Sequence, residues 1–323
     1  MKRILIVLAI FAGFIYAFFI LGMGRKESPT HFFIFNTHEH IQSIQEVPKY
    51  LEAMKQIGVE KTVLLGSSEA TIFSGHSSFT EWEENNAEIL QIAATDPEHF
   101  IAFPTLDPQD PQKIEKLKSY LEKGAKGLKL YSGHVIFHKL SLDDKSVMPL
   151  YKFCEGHQIP ILFHVNAGYY QKELENVLKQ FPKLKIICPH FCLSTIKSER
   201  FEYLMDTYPT LYTDISFGPM DYLVAALKRF SLNPQKYRNL ILKYQDRIFY
   251  GTDMVVTRDP EKTVDWLTQV AQVYKDFLEK EQYTFFEFPN QTLRGLHLDE
   301  EVLKKIYHTN FKRFFYGKSE TNF

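Results

Sequence analysis

The sequence predicts an α/β protein, a (β/α)8 TIM barrel preceded by an apolar N-terminal segment. Two features predict the barrel. Short β-rich runs alternate with longer helical patterns from residue 32 to residue 315. The runs number eight, and the chain closes on a helical stretch, as such a barrel requires. A doubly wound open sheet is the competing arrangement, but no glycine-rich fingerprint follows the first strand.

The predicted strands, in order, are Phe32–Asn36, Thr62–Gly66, Phe100–Leu106, Gly127–Tyr131, Pro160–Val165, Lys185–Pro189, Thr210–Ser216 and Arg247–Thr252. Helical patterns fall at Val47–Ile57, Trp82–Ala94, Gln112–Gly124, Lys145–His157, Lys172–Phe181, Ser194–Tyr208 and Pro260–Phe277, with a last helix at Glu300–Phe315. The chain contains no low-complexity tract and no internal repeat.

The run Ile4–Gly24 carries no charge, and as a helix it would rise roughly 31 Å at about 1.5 Å per residue, enough for a bilayer core. Lys2, Arg3 and the amino terminus outweigh Arg25 and Lys26, which Glu27 follows. The positive-inside rule then favours a cytoplasmic N-terminus with the bulk exported. The expectation is a transmembrane anchor over 1–24, a linker over 25–30 and a barrel over 31–323, membrane-anchored and extracytoplasmic. A cleaved signal segment, giving a secreted protein, is the alternative, although Gly22-Met23-Gly24 makes a poor cleavage site.

Composition narrows the function. Of 323 residues, 38 are Lys or Arg and 39 are Asp or Glu, a net charge of -1. That balance argues against a nucleic-acid partner held by a broad basic face. A 45% hydrophobic and 24% charged chain is not an acidic disordered one. Three cysteines are too few for a disulfide scaffold. A small-molecule substrate fits these totals, and a homodimer is compatible with them.

In a barrel the chemistry gathers where strands end at their C-terminal side. The first strand runs into Asn36-Thr37-His38-Glu39-His40. His38 and His40 are two apart, so an extended chain turns both rings to one side and Glu39 to the other. Two imidazoles so placed can chelate a divalent metal. The fifth strand ends near His164, the sixth at His190 and the eighth at Asp253. A single His or Asp at a strand end is more often structural than ligating. Four of eight strands delivering such residues to one rim point to a metal site.

This pattern resembles the amidohydrolase superfamily, in its amidohydrolase-related, aminocarboxymuconate semialdehyde decarboxylase-like branch. The resemblance rests on the opening H-x-H and the stretch Asn85–Pro111. It continues through GAKGLKL, LYTDIS, DRIFYGTD and the closing EEVLKKIYHTNFKRFF. It implies that His38, His40 and His164 are imidazole ligands and that Asp253 is the carboxylate ligand. His190 would stand beside the reacting water or substrate, or bind a second metal. Three imidazoles and a carboxylate suit Zn²⁺ with a position open for water. Such a site lowers the water's pKa toward ~7. Asp253 can then take its proton, with His190 assisting charge or proton transfer.

Two departures from the family pattern stand out. Asn36 occupies the place where the family commonly has Asp, two residues before the first His. Lys129, a bridging carbamylated lysine in some relatives, lies here in GLKLY, a run of the single-metal branch, which favours a buried structural or substrate-facing role. Tyr131, His134, Asn166 and Arg258 also follow strand ends and are candidate substrate contacts, as are His138 and Phe217. Cys188 and Cys192 read as small packing residues, and Ser67–Ser78 with His76 as a lid loop. The resulting expectation is a metal-dependent hydrolase acting at a C–N or C–O bond beside a carbonyl. Decarboxylation of an unsaturated or aromatic acid is the alternative on the same ligands. A non-catalytic tethered barrel is the alternative of another class.

Overall fold

A computed structural model describes residues 33–72 and 79–317. Eight parallel strands form its centre: β1 (Ile34–Ile41), β2 (Val59–Leu65), β3 (Phe100–Phe103), β4 (Leu128–Gly133), β5 (Ile161–Val165), β6 (Ile186–Ile187), β7 (Leu211–Asp214) and β8 (Ile248–Phe249). They pair in the orders β3-β2-β1 and β4-β5-β6-β7-β8, and a short β9 (Val255–Val256) lies on the free side of β1. Backbone bonds close both seams. Lys129 N donates to Pro104 O at 2.9 Å, and Thr37 N donates to Tyr250 O at 2.9 Å. The circuit is therefore complete, and the α/β barrel expected from the alternation is what forms.

The helices follow the apolar periodicity. In α1 (Val47–Ile57), Tyr50, Ala53, Met54 and Ile57 make the buried face, and Gly58 in the left-handed region returns its N–H to Met54 O. Then come α2 (Glu69–Ile72), α3 (Trp82–Thr95), α4 (Lys113–Glu122), α5 (Met148–Gly156), α6 (Ala167–Gln180) and α7 (Ser198–Thr207). Two helices, α8 (Met220–Leu232) and α9 (Pro234–Tyr244), fill the β7–β8 crossover, where no helix was expected. The two helices join at Asn233-Pro234, which interrupts the period. The chain ends with α10 (Val264–Glu279), a hairpin of β10 (Gln282–Tyr283) and β11 (Leu293–Arg294), then α11 (Glu300–Lys304), a π-turn at Lys305–Thr309 and α12 (Asn310–Tyr316).

The barrel interior is divided. Phe35, Val63, Leu65, Ile101, Phe103, Leu162, Ile187 and Phe249 form an apolar cluster, and Phe311 and Phe314 of α12 join it. The β1 strand continues past its expected end at Asn36 and carries His38 and His40 within it. Phe35 joins the apolar cluster, and His38 and His40, further along the same strand, also point into the barrel. His38 is three positions after Phe35, an odd step that regular alternation would turn outward, so the alternation must change, and the β1–β2 register shifts between Asn36 and Glu39.

One expectation needs correction. Among the described residues no helix is long and apolar enough to cross a membrane. The run Ile4–Gly24 and the linker at 25–30 lie outside the described residues, as does His76 of the expected lid. The membrane-anchored, extracytoplasmic placement and its secreted alternative are accordingly withdrawn, and neither a membrane partner nor a homodimer gains support. Cys188 and Cys192 are also corrected, because they are joined as a disulfide with Cα atoms 5.1 Å apart.

Phe311 is buried among β-strand side chains at the base of the barrel. Phe311→Ala is expected to lower unfolding stability by about 3–5 kcal/mol in a denaturant titration, through the lost packing and the cavity left behind.

Candidate metal centre

Two strands and two post-strand segments bring five titratable side chains together at the C-terminal end of the barrel. His38 and His40 each place Nε2 at 3.1 Å from Asp253 Oδ1. His190 places Nε2 at 3.4 Å from Asp253 Oδ2. The rings of His164 and His190 are 5.3 Å apart, and the buried His164 Nε2 has no hydrogen-bond partner among the described residues.

The second ring nitrogen of each of the first three imidazoles decides the tautomer. His38 Nδ1 lies 2.8 Å from Asp214 Oδ2, His40 Nδ1 lies 3.0 Å from the Leu65 carbonyl, and His190 Nδ1 lies 2.8 Å from the Ser216 carbonyl. Carbonyl and carboxylate oxygens only accept, so Nδ1 must carry the proton in all three. In the neutral rings each Nε2 is then a lone pair aimed at Asp253, which is itself an acceptor. Lone pairs facing a carboxylate at these distances call for a cation between them, and this donor set fits a divalent metal. Two triads have ligand atoms close enough to share an ion: His38, His40 and Asp253, and His38, His190 and Asp214.

Burial and charge act in opposition here. Burial drives His40 down to about 4 against the pull of Asp253, and it likewise lowers His190 and His164. Burial also works to lower His38, but Asp253 and Asp214 on either side outweigh it and raise the ring. Burial works to raise both carboxyl groups, yet the neighbouring imidazoles win. Asp253 is held well below the usual range, and Asp214 falls to about 2.

The chain pays locally for this convergence. Residues His190 to Leu193 all have φ between 53 and 56°, a left-handed turn directly after β6. Non-glycine residues resist that region. Side chains of β7 hold it, because His190 N donates to Asp214 Oδ1 at 3.1 Å and Phe191 N donates to Thr213 Oγ1 at 3.0 Å. Asp253 is left-handed as well, with φ 52° and its N–H on His38 O at 2.8 Å. Gly218 makes room for it, since a Cβ there would sit 2.7 Å from Asp253 Oδ2.

Glu39, on the outer face of β1, ties the ligand strands together. Its carboxyl accepts from Thr252 Oγ1 at 2.7 Å and from His40 N at 3.0 Å. Asn36 Nδ2 donates to Thr252 Oγ1 at 2.8 Å, and Asn36 Oδ1 accepts from His38 N at 3.1 Å. The amide at position 36 thus supplies a donor beside the buried Glu39 carboxyl, where a carboxylate would meet another carboxylate.

A protein-family model described as Amidohydrolase matches residues 37–316. The chain belongs to the amidohydrolase family. Solved structures resemble this amidohydrolase in fold. An uncharacterised TIM-barrel protein from Bordetella bronchiseptica matches with TM-score 0.59 at 17% identity, over 87% of this chain and 97% of that one. A 2,6-dihydroxybenzoate decarboxylase from Rhizobium matches with TM-score 0.53 at 17% identity, over 87% and 98%. A probable 2-pyrone-4,6-dicarboxylic acid hydrolase from Acinetobacter baumannii, with citric acid bound, matches with TM-score 0.59 at 13% identity, over 88% and 99%. A comparison with curated proteins finds no match.

The remaining candidates of this amidohydrolase divide. Lys129 is buried, with Nζ 4.6 Å from the centre of the Tyr131 ring. Burial lowers it to about 8 against the pull of Asp253 and Asp214. The His134 ring lies 4.7 Å from that of His164, tilted by 55°, so it stands at the site's edge. His138 instead bonds Glu173 at 2.8 Å and stacks on Tyr170. Asn166 caps α6 by accepting from Gly168 N at 2.9 Å, and Arg258 is exposed after β9. Phe217 is buried, its N–H on the Tyr274 hydroxyl. Asp214 was passed over by the sequence reading. Its only signal there was an acid at the end of an apolar strand, in LYTDIS.

The lowered His40 gives a pH signature in protein stripped of metal. Unfolded His40 takes its proton near 6.5 and the folded ring only near 4, so the unfolded state binds more protons in between. Stability is therefore expected to fall as pH drops from 6.5 to 4, His40 alone accounting for up to about 3 kcal/mol. Urea titrations across that range should show the slope, and His40→Gln should flatten it.

Proposed function

We propose that this amidohydrolase is a metal-dependent hydrolase in which His38, His40, His164 and Asp253 hold a divalent cation, Zn²⁺ by the chemistry of the donor set. The observation that carries the reading is the group of imidazole lone pairs directed at the Asp253 carboxylate, with their Nδ1 protons committed elsewhere. A cation bound there would polarise a substrate carbonyl and make a water molecule acidic enough to attack it near neutral pH.

The chain's own residues supply the rest. Asp253 is ionised across the working range and accepts a proton from the attacking water at a carboxylate oxygen. His190 is fixed by the Ser216 carbonyl with Nε2 unprotonated, so it can receive a proton and return it to the leaving nitrogen or oxygen. Asp214 holds the His38 ring and makes it a stronger donor through Nδ1. Lys129, beside the Tyr131 ring, can place an ammonium on an anionic part of the substrate.

Lys129 also favours the second reading. A decarboxylase needs a cation to hold the departing carboxylate. Lys129 is buried near Asp253, whereas Arg258 is exposed. The resemblance to a dihydroxybenzoate decarboxylase in fold is compatible with that chemistry, and the resemblance to a dicarboxylic acid hydrolase with the first.

Gently purified protein is expected to carry divalent metal. Chelation should lower its melting temperature and abolish turnover of an amide and ester panel, with an aromatic-acid panel testing the second reading. Below ~0.3 metal per chain, with no loss of stability in His38→Ala, the proposal fails. Asp214→Asn removes the acceptor that fixes the His38 tautomer. Its metal affinity, read by competition with a chromogenic chelator, should weaken about 10–100-fold.

A further inference from the structure

We propose that the N-terminal end of the barrel, opposite the metal centre, binds a small organic anion carrying two or more negative charges on a flat apolar body. The cavity there has a volume of about 260 Å³ and opens to solvent. Lys61, Lys126 and Lys185 line it, together with Phe100, Phe314 and Phe315. Their places in the chain set the location. Lys61 lies in the first half of β2, Lys126 two residues before β4, and Lys185 directly before β6. The metal-centre residues stand toward the C-terminal ends of β1, β5, β6 and β8, so the site is independent of the function proposed above.

The charge arrangement is the reason to assign a ligand. Among the described residues no carboxylate lines the cavity, and none of the three lysines makes an ion pair. Some lysines elsewhere are ion-paired: Lys116 with Glu83 and Asp110, Lys179 with Glu175, Lys243 with Asp206, and Lys280 with Asp276. Lys185 is half-buried, and loss of water lowers its pKa. Its ammonium donates to the Phe314 carbonyl at 2.9 Å and lies 4.8 Å from the centre of the Phe314 ring. Lys61 donates to the Pro97 carbonyl at 3.2 Å. Each ammonium has three donors, so most of their capacity faces the cavity or solvent. A single anion bridging the three would neutralise their charge and use those donors.

The walls define the rest of the ligand. Pro97, Pro160 and the phenylalanine rings present flat apolar surface between the lysines. An inorganic oxyanion would leave that surface unused, whereas a ring bearing the charged group would cover it.

The test is calorimetry and thermal denaturation of the full chain with phenylphosphonate, phthalate, inorganic phosphate and benzyl alcohol. Phenylphosphonate or phthalate should raise the melting temperature saturably, the stronger of the two identifying a phosphoryl or a carboxylate ligand. Inorganic phosphate should bind about tenfold more weakly, and benzyl alcohol should give no saturable shift. Lys61→Ala with Lys126→Ala, both on partly exposed side chains, should weaken binding at least about tenfold, and Lys185→Met should do so independently. His164→Ala, at the far end of the barrel, should leave the affinity unchanged. The proposal is overturned by the absence of a saturable shift up to about 10 mM of either organic anion. Binding that survives the lysine substitutions, or that His164→Ala abolishes, overturns it equally.

Discussion

The arrangement of the whole upper barrel follows from one electrostatic constraint: imidazole lone pairs and a carboxylate must face one another without a proton to share. Each of three rings has given its Nδ1 hydrogen to an oxygen that can only accept, namely Asp214, the Leu65 carbonyl and the Ser216 carbonyl. Their Nε2 atoms are thereby left as acceptors around Asp253. Such a cluster is stable only if a cation resolves it or if the backbone enforces it. The left-handed turn at His190–Leu193 and the left-handed Asp253 are the enforcement, and Thr213 and Asp214 on β7 hold the turn in place.

The barrel accommodates this cluster by separating it from the apolar packing. The lower interior is filled by phenylalanine, leucine and isoleucine side chains, with α12 closing the base. The upper interior is polar, and its groups are cross-linked by Asn36, Glu39 and Thr252 between β1 and the segment after β8. The register shift in β1 lies at the change from one regime to the other. Burial raises the cost of every charge in the upper layer, which is why the site's pKa directions are set by desolvation against a few close partners.

Much of this was readable from residue order. The alternation of apolar runs announced the barrel, and Val47–Ile57 matched its predicted bounds because a proline and a glycine mark its ends. His38, His40, His190 and Asp253 could be picked out because each is a titratable residue at the end of an apolar strand. The strands β6 and β8 proved only two residues long, since their C-terminal flanks turn away to build the site. The paired α8 and α9 were not visible because Asn233-Pro234 breaks the period. Asp214 was missed for a different reason. Its value lies in a 2.8 Å contact with a residue 176 positions away, which no local pattern encodes.

The sequence by itself determined the fold class, the chemistry available at each strand end and the family resemblance, because these depend on local periodicity and residue type. Only the tertiary structure decided which nitrogen of each imidazole is a donor, which carboxylate those rings share, that Cys188 and Cys192 are joined, and that three unpaired lysines gather at the opposite end. Those outcomes depend on contacts between distant segments and on how far each group is removed from water, and chain closure alone sets both.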